Sequence, residues 1–521
     1  MINLSYESNH KIKTAILSVS DKTGVVEFAR ELTELGVTIY STGGTKALLK
    51  EAGIPVQYVT EITGFPEVFD GRVKTLHPKI HGGLLADLGK ATHLEQMNEL
   101  GIESIDLLVV NLYPFQQTLN NPNSTHEDKI ENIDIGGPAM LRASAKNYKW
   151  TAPVVNPEHY AAIIEELKTN EMTINERLRM ELAAETFSHT AEYDSLISNY
   201  LGAELGNKFS NKKSFGFAKE YQLRYGENPQ QNAALYGNFS SIFEKLHGKE
   251  LSYNNIIDID SAARLVIEFD ETPTVAIIKH TNPCGVGTGA NLTEAYERAF
   301  ATDSVSPFGG IIAVNKTVDI EFANAVHSLF TELIIAPDFT AEALELLTKK
   351  KDRRLIKFSA KKLAAALGTE FRSVAGGMLV QESDLTLVDT EKMKVVTDRE
   401  PTEDEWQALM FAWRVCKHVK SNAIVYTSKD STLGIGAGQM SRVDSSRIAV
   451  EKAELMKLSL QGAVVASDAF FPFADGVMEA VKAGATAIIQ PGGSVRDEDV
   501  IKAANENGLA MIFTGARHFK H

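Results

Sequence analysis

Apolar and polar positions along the chain switch between two periods. Thr14 to Ser20 has the density of a buried strand, Asp21-Lys22-Thr23-Gly24 breaks it, and Val25 to Leu35 carries apolar residues at helical spacing. Val37 to Tyr40 predicts the next strand, and Ser41-Thr42-Gly43-Gly44-Thr45 opens a helix over 46–52. Such a strand–helix rhythm predicts a parallel sheet. Further strands are predicted over 105–111 and 151–155, and residues 157–200 read as two or three long helices that close a first domain. The stretch 202–219 is polar with a weak apolar pattern. It predicts a linker between a domain over 1–201 and a second region over 220–521. Within that region, the strand 275–278, a Gly-rich open turn, a helix near 294–301 and a Gly-led strand over 308–314 are echoed by 422–426, 433–442, a helix and 461–468. The echo predicts an internal duplication with a site between two related α/β subdomains.

Bulk properties narrow the picture. A chain of 521 residues is too long for one core, and 44% apolar with 23% charged residues is ordinary for a globular protein. A net charge of −15 argues against a general nucleic-acid or membrane-surface binder. An anionic ligand would need local Lys, Arg and backbone N–H groups. Two cysteines, Cys284 and Cys416, make neither a disulfide framework nor a multi-cysteine zinc site. With no signal-like N-terminus and no apolar run of membrane length, a soluble cytoplasmic protein is expected.

Several clusters carry candidate chemistry. Ser18, Ser20 and Lys22 after the first strand, and Thr42, Gly43, Gly44 and Thr45 after the second, either cap helices or hold a phosphate at two converging helix N-termini. Residues 63–67 and 71–83 together hold two prolines and four glycines, and the second stretch carries Arg72, Lys74, His77, Lys79 and His81, which predicts an irregular loop, solvated or anion-handling. Asp134 precedes a Gly-Gly turn, with Lys146 about two helical turns beyond it, so the two either share a pocket or form a surface ion pair. In the second region, Lys279 and His280 leave a buried strand together. That placement suits proton transfer beside an anionic substrate, although a turn-capping histidine is the commoner outcome. Phe470, Phe471 and Phe473, flanked by Asp468 and Asp475, are either core or the wall of a flat heteroaromatic site. Gly436-Ala437-Gly438 is no dinucleotide fingerprint.

Taken together, Ser18 to Gly24, Gly71 to Pro78, Asn111 to Phe115 and Asp134 to Gly137 resemble the IMP cyclohydrolase part of the bifunctional purine-biosynthesis PurH family. Leu223 to Gln231, Lys279-His280, Gly434 to Arg442 and Asp468 to Asp475 resemble its AICAR transformylase part, and the resemblance spans essentially the whole chain in order. It implies an α/β fold: a methylglyoxal-synthase-like three-layer α/β/α domain, then a duplicated cytidine-deaminase-like transformylase region dividing at about 370–400. It also implies formyl transfer from 10-formyltetrahydrofolate to AICAR, and closure of the formamide product, FAICAR, to IMP with loss of water. His280 and Lys279 would then move the amine proton and steady the oxyanion, with Asn422 placing the formyl group. Arg224, Tyr225, Arg442 and Arg517 would bind AICAR, and Phe470, Asp475 and Ser494 would border the folate. For ring closure the resemblance implies Lys74, Tyr113, Asp134 and Lys146, with Arg72, Thr75 and the hydroxyl-rich turns on the nucleotide. A homodimer with the transformylase site at the subunit interface is implied as well. Gln230 stands where many relatives carry His, which argues against an essential ionisation there. Cys284 lacks the second cysteine of a zinc deaminase, so no transition metal is expected. A nucleotide-sensing regulator, the competing reading, would need the phosphate turns but not Lys279-His280.

Overall fold

The apolar run at Thr14 becomes the middle of a parallel sheet. In the computed structural model, which describes residues 10–269 and 272–521, β1 (Thr14–Val19), β2 (Thr38–Ser41), β3 (Gln57–Tyr58), β4 (Leu107–Asn111) and β5 (Ala152–Val154) pair in the order β3-β2-β1-β4-β5, all parallel. Alternate residues of one strand feed two cores. Ala15, Leu17 and Val19 join Leu107 and Val109 against the helices Val25–Glu34 and Tyr160–Thr169. Ile16, Leu108 and Val110 face Ile80, Leu84, Met140 and Leu141 from the helices Pro78–Leu85 and Gly136–Lys146. Helices on both faces explain why these strands read as continuous apolar runs. The fold here is three-layered, α/β/α.

Two local expectations change. Residues 78–85, expected to be irregular, are helical: Pro78 supplies the first turn, and the N-cap His77 accepts the Lys79 N–H through Nδ1 at 3.2 Å. Gly83 is required by packing, since a Cβ there would lie 2.4 Å from the Glu103 carbonyl oxygen. The closing helix Glu176–Glu204 runs past residue 201, and the division into compact units falls between Phe217 and Ala218.

The second unit opens with the hairpin β6 (Lys219–Leu223) and β7 (Ala233–Tyr236). Then β8 (Phe243–His247), β9 (Thr274–Lys279), β10 (Asn282–Thr288), β11 (Ile311–Val314), β12 (Leu333–Ala336) and β13 (Arg354–Phe358) form a six-stranded sheet ordered β10-β9-β11-β12-β13-β8. After the exposed hairpin β14 (Thr369–Val374) and β15 (Gly377–Glu382) comes a second sheet. It is built from β16 (Lys394–Val395), β17 (Ile424–Thr427), β18 (Thr432–Gly436), β19 (Val464–Ser467), β20 (Ala487–Gln490) and β21 (Ala510–Phe513), ordered β16-β21-β20-β19-β17-β18. Strand for strand the sheets match: an antiparallel hairpin at one edge, three central strands and a short antiparallel strand at the other edge. One shared core holds inward side chains of both sheets and of the helices Tyr253–Val266 and Glu403–Cys416. The predicted duplication is real.

The segment after Lys279 departs from the expected open turn. His280 and Thr281, at φ +58° and +63°, make a two-residue hairpin turn, and Pro283 to Thr288 continue as strand β10. Pro283 is tolerated because β10 is an edge strand. Its glycines are set by contact with a helix: a Cβ on Gly285 would lie 1.9 Å from the Ala299 oxygen, and one on Gly436 of β18 1.9 Å from the Ser445 oxygen.

Candidate functional site

Strand ends β1, β2 and β4 open onto a cleft of about 640 Å³ in the first unit, the position where parallel sheets collect ligands. Its lining includes Ser18, Ser20, Lys22, Thr42, Gly43, Gly44, Thr45, Arg72, Lys74, Thr75, Tyr113 and Asp134, which is every residue the resemblance implies for this unit except Lys146; His77, Lys79 and His81 lie outside the lining. At one end, Ser18 Oγ meets Thr42 Oγ1 at 2.7 Å, and the Lys22 ammonium donates to Thr45 Oγ1 at 2.8 Å and to the Val19 carbonyl. Partial burial lowers the Lys22 pKa. The helix Gly43–Glu51 starts here, three residues earlier than its apolar pattern suggests, and Thr42 gives it no side-chain cap. Open space lies beside Gly43 and Gly44. Uncapped N–H groups, hydroxyls and one ammonium around open space suit a phosphate.

The other end gathers ionisable groups around Asp134. Asp134 Oδ1 accepts the Gly137 N–H at 2.8 Å, and its backbone N–H donates to the Tyr193 hydroxyl at 2.8 Å. Burial raises the Asp134 pKa, with the Gly137 N–H and Lys74 opposing the rise. The Gly-Gly pair exists because this corner is full: a Cβ on Gly137 would meet Asp134 Oδ2 at 2.5 Å, and one on Gly136 would meet Thr75 Oγ1 at 2.6 Å. Lys74 lies 3.9 Å from Glu67 Oε1. Lys146, by contrast, is exposed at the far end of the helix Gly136–Lys146, about 15 Å along the axis, and does not share the Asp134 pocket within this chain.

Sequence reasoning missed four groups in this cleft. Asn111 Oδ1 accepts the Ser20 and Asp21 N–H groups at 2.5 and 2.9 Å and so shapes the turn after β1. A polar residue ending an otherwise apolar strand was the available signal. Glu67, Asp70 and Glu131 add acid to a cleft expected to be cationic, and Glu131 pairs with Arg72 (Nε to Oε1, 3.2 Å). No local pattern links Arg72 to a residue so far along the chain.

In the second unit, Lys279 Nζ donates to the Phe308 carbonyl at 2.9 Å, and His280 is exposed at its turn. The Lys420 N–H donates to Asn282 Oδ1 at 2.9 Å, which lays the segment before Asn422 against that turn. Asn422 itself is anchored by its N–H and Nδ2 to the Gln439 carbonyl, and Ser445 Oγ donates to its carbonyl oxygen. Arg442 and Arg517 both lie over the Phe519 ring, 5.8 and 4.3 Å from its centroid, and Arg442 is 3.6 Å from the buried Asp468. Burial lowers the Arg442 pKa and raises that of Asp468. Arg224 is exposed after β6 with its guanidinium over Tyr225, and among the described residues it makes no hydrogen bond to the His280 turn.

The phenylalanine cluster divides. Phe471 is core and Phe473 is exposed beneath Arg496, leaving Phe470 half-buried. Asp475 begins the helix Asp475–Ala483, and Ser494 donates its N–H to Asp497 at 3.1 Å. Among the described residues there is no group of three or more His, Cys, Asp or Glu disposed to hold a metal, and burial raises the Cys284 thiol to about 11. No helix among them is long and apolar enough to cross a membrane.

Two protein families match the chain: an MGS-like domain over residues 24–139 and an AICARFT/IMPCHase bienzyme over 144–452. A protein of Chlorobium chlorochromatii (strain CaD3) is 55% identical over 99% of this chain and 100% of its own. Relatives in Chloroflexus aurantiacus and Bacillus cereus (strain B4264) are 56% and 54% identical, each over 98% of this chain and at least 99% of their own. All three are named bifunctional purine biosynthesis protein PurH.

Proposed function

The chain belongs to the AICARFT/IMPCHase bienzyme family and is a bifunctional enzyme of purine biosynthesis, AICAR formyltransferase and IMP cyclohydrolase; from that premise we propose that the first unit closes the ring and the second transfers the formyl group. The observation that carries the assignment of ring closure is the single cleft, with phosphate-type groups at one end and Lys74, Tyr113 and Asp134 at the other. Closure is intramolecular, so alignment alone supplies much of the rate. The turns around Ser18, Lys22 and Gly43 to Thr45 hold the 5′-phosphate. As the carboxamide nitrogen attacks the formyl carbon, Lys74 stabilises the oxyanion. Asp134, raised by burial, relays the proton from that nitrogen to the oxyanion, and the resulting hydroxyl leaves as water with the formamide N–H proton as the ring C=N bond forms.

Formyl transfer from 10-formyltetrahydrofolate has a harder problem, because the AICAR amine is a poor nucleophile with its lone pair delocalised into the ring. His280 takes the amine proton as the bond forms, Lys279 steadies the oxyanion, and Asn422 places the formyl group; as the intermediate collapses the formyl–folate C–N bond breaks and the proton passes to the leaving folate nitrogen, with Lys279 assisting. Arg442 and Arg517 hold AICAR, and Phe470, Asp475 and Ser494 border the folate. Supporting this reading, the Lys420–Asn282 hydrogen bond brings the Asn422 segment to the His280 turn. We also propose that two copies associate to complete this site. Exposed Val374, Met378 and Leu379 on the β14–β15 hairpin, and Phe308 beside Lys279, offer the apolar surface for it.

An anaerobic assay with AICAR and 10-formyltetrahydrofolate, following tetrahydrofolate and IMP separately, tests both assignments. His280→Ala is expected to stop folate turnover, and Lys74→Ala to accumulate the formamide. Normal IMP formation by Lys74→Ala would remove the first unit from ring closure.

A further inference from the structure

The His280 turn is built from unsuitable residues. A two-residue hairpin turn with both central φ values positive favours Asn-Gly or Gly-Gly, whereas here it is His-Thr, with a β-branched residue at φ +63°. Such a turn persists only where its surroundings hold it. Three polar groups of the turn backbone are held. The Thr281 N–H donates to Asp258 Oδ1 at 2.7 Å, and the Thr281 carbonyl accepts from Ser261 Oγ at 3.1 Å. The His280 carbonyl accepts from Thr281 Oγ1 at 2.7 Å and Asn282 Nδ2 at 3.3 Å. Asp258 and Ser261 lie three residues apart on the helix Tyr253–Val266 and so share a face. Ser261 is steadied in turn by the Lys520 ammonium at 3.3 Å. The backbone is fixed while the imidazole stays exposed.

We propose that Asp258 is a positioning residue for formyl transfer: its carboxylate holds the His280–Thr281 turn left-handed and thereby aims the His280 imidazole at the amine. Asp258 touches no reacting atom, and the proposal rests on the reading of His280 as the group that takes the proton. Removing the carboxylate lets the turn relax toward ordinary φ values, which moves the imidazole without altering the groups that hold AICAR. The cost then falls on kcat and leaves KM nearly unchanged.

The test measures kcat and KM for formyl transfer in the full-length enzyme carrying Asp258→Ala, Asp258→Asn, Asp258→Ala with Thr281→Gly, or His280→Ala, with a thermal melt of each. Asp258→Ala is expected to lower kcat about 10- to 100-fold with KM for AICAR within about 3-fold. Asp258→Asn keeps an acceptor oxygen for the Thr281 N–H and should remain within about 5-fold of wild type. Glycine at 281 favours the left-handed turn and should recover at least about 3-fold of the lost kcat. Wild-type kcat in Asp258→Ala, an Asn variant as slow as the Ala variant, or no recovery by glycine would each overturn the positioning role. If Asp258→Ala does not fold, Asp258→Asn decides: kcat close to wild type upholds the role, and a loss above 10-fold in a protein that melts normally rejects it. Formyl transfer that survives His280→Ala would instead overturn the reading of His280 itself.

Discussion

In the first unit, three parallel strand ends deliver their side chains to one cleft, whereas in the second the His280 turn comes from one repeat and Asn422, Arg442 and Arg517 from the other. The contrast follows the number of molecules each reaction must bring together. Ring closure has one substrate and gains most from a preformed cradle. Formyl transfer has two, and its proposed groups are drawn from matched halves whose edge strands meet, with the Val286 N–H on Thr432 Oγ1 at 2.9 Å. Glycine serves the two units differently as well. In the cleft, Gly43 and Gly44 border open space; in the repeats, Gly285 and Gly436 admit a helix backbone to contact.

The comparison can be broken most sharply at Asp134. Asp134→Asn should slow ring closure roughly 100- to 10,000-fold and leave formyl transfer within about 2-fold, measured as FAICAR accumulation against tetrahydrofolate release. The same variant carries a pH sign. Burial raises the Asp134 pKa, so its contribution to stability is fully present when both folded and unfolded forms are protonated, below about pH 4, and is lost as pH rises through the folded value. The Asn variant should therefore melt at the same temperature or higher at pH 7, and any gain should vanish in acid.

A smaller effect separates the two uses of glycine. Gly285→Ala should destabilise the second unit by about 1–3 kcal/mol in denaturant unfolding, because the new methyl group overlaps a helix carbonyl. Gly44→Ala should change stability by less than about 0.5 kcal/mol and instead raise KM for ring closure. Smallest of all, Arg72→Gln should alter that KM by less than about 3-fold, since Glu131 already engages the guanidinium at the exposed rim.

Strand periodicity and turn chemistry made much of this legible from residues alone. The parallel sheet, the phosphate-type turns after β1 and β2, and the duplication follow from apolar runs punctuated by Ser, Thr and Gly. What stayed hidden depended on partners far along the chain. Pro78 at the first helical position is a local start signal, but what requires glycine at 83 is the backbone at Glu103, which no nearby residue reveals. Pro283 and Gly285 read locally as turn residues, and only an edge position and the helix Leu292–Thr302 against it make them strand. The Asp134–Lys146 spacing reads as a turn and about two helical turns, but the helix begins at Gly136 and its roughly three turns carry Lys146 out of the cleft. Arg72 looked cationic and unopposed until Glu131 folded onto it.

The glycines at 285 and 287, and those at 434 and 436, leave each edge strand without a side chain where a helix carbonyl rests on it: a methyl group at any of the four would lie within 2.4 Å of a backbone oxygen. These seams constrain how the two halves can diverge. One half has come to carry an imidazole and the other a pair of guanidiniums, but neither can add bulk along its seam without lifting a helix from its sheet. The likeness of the two halves is therefore plainest where the chain has the least chemistry, at four positions without a side chain.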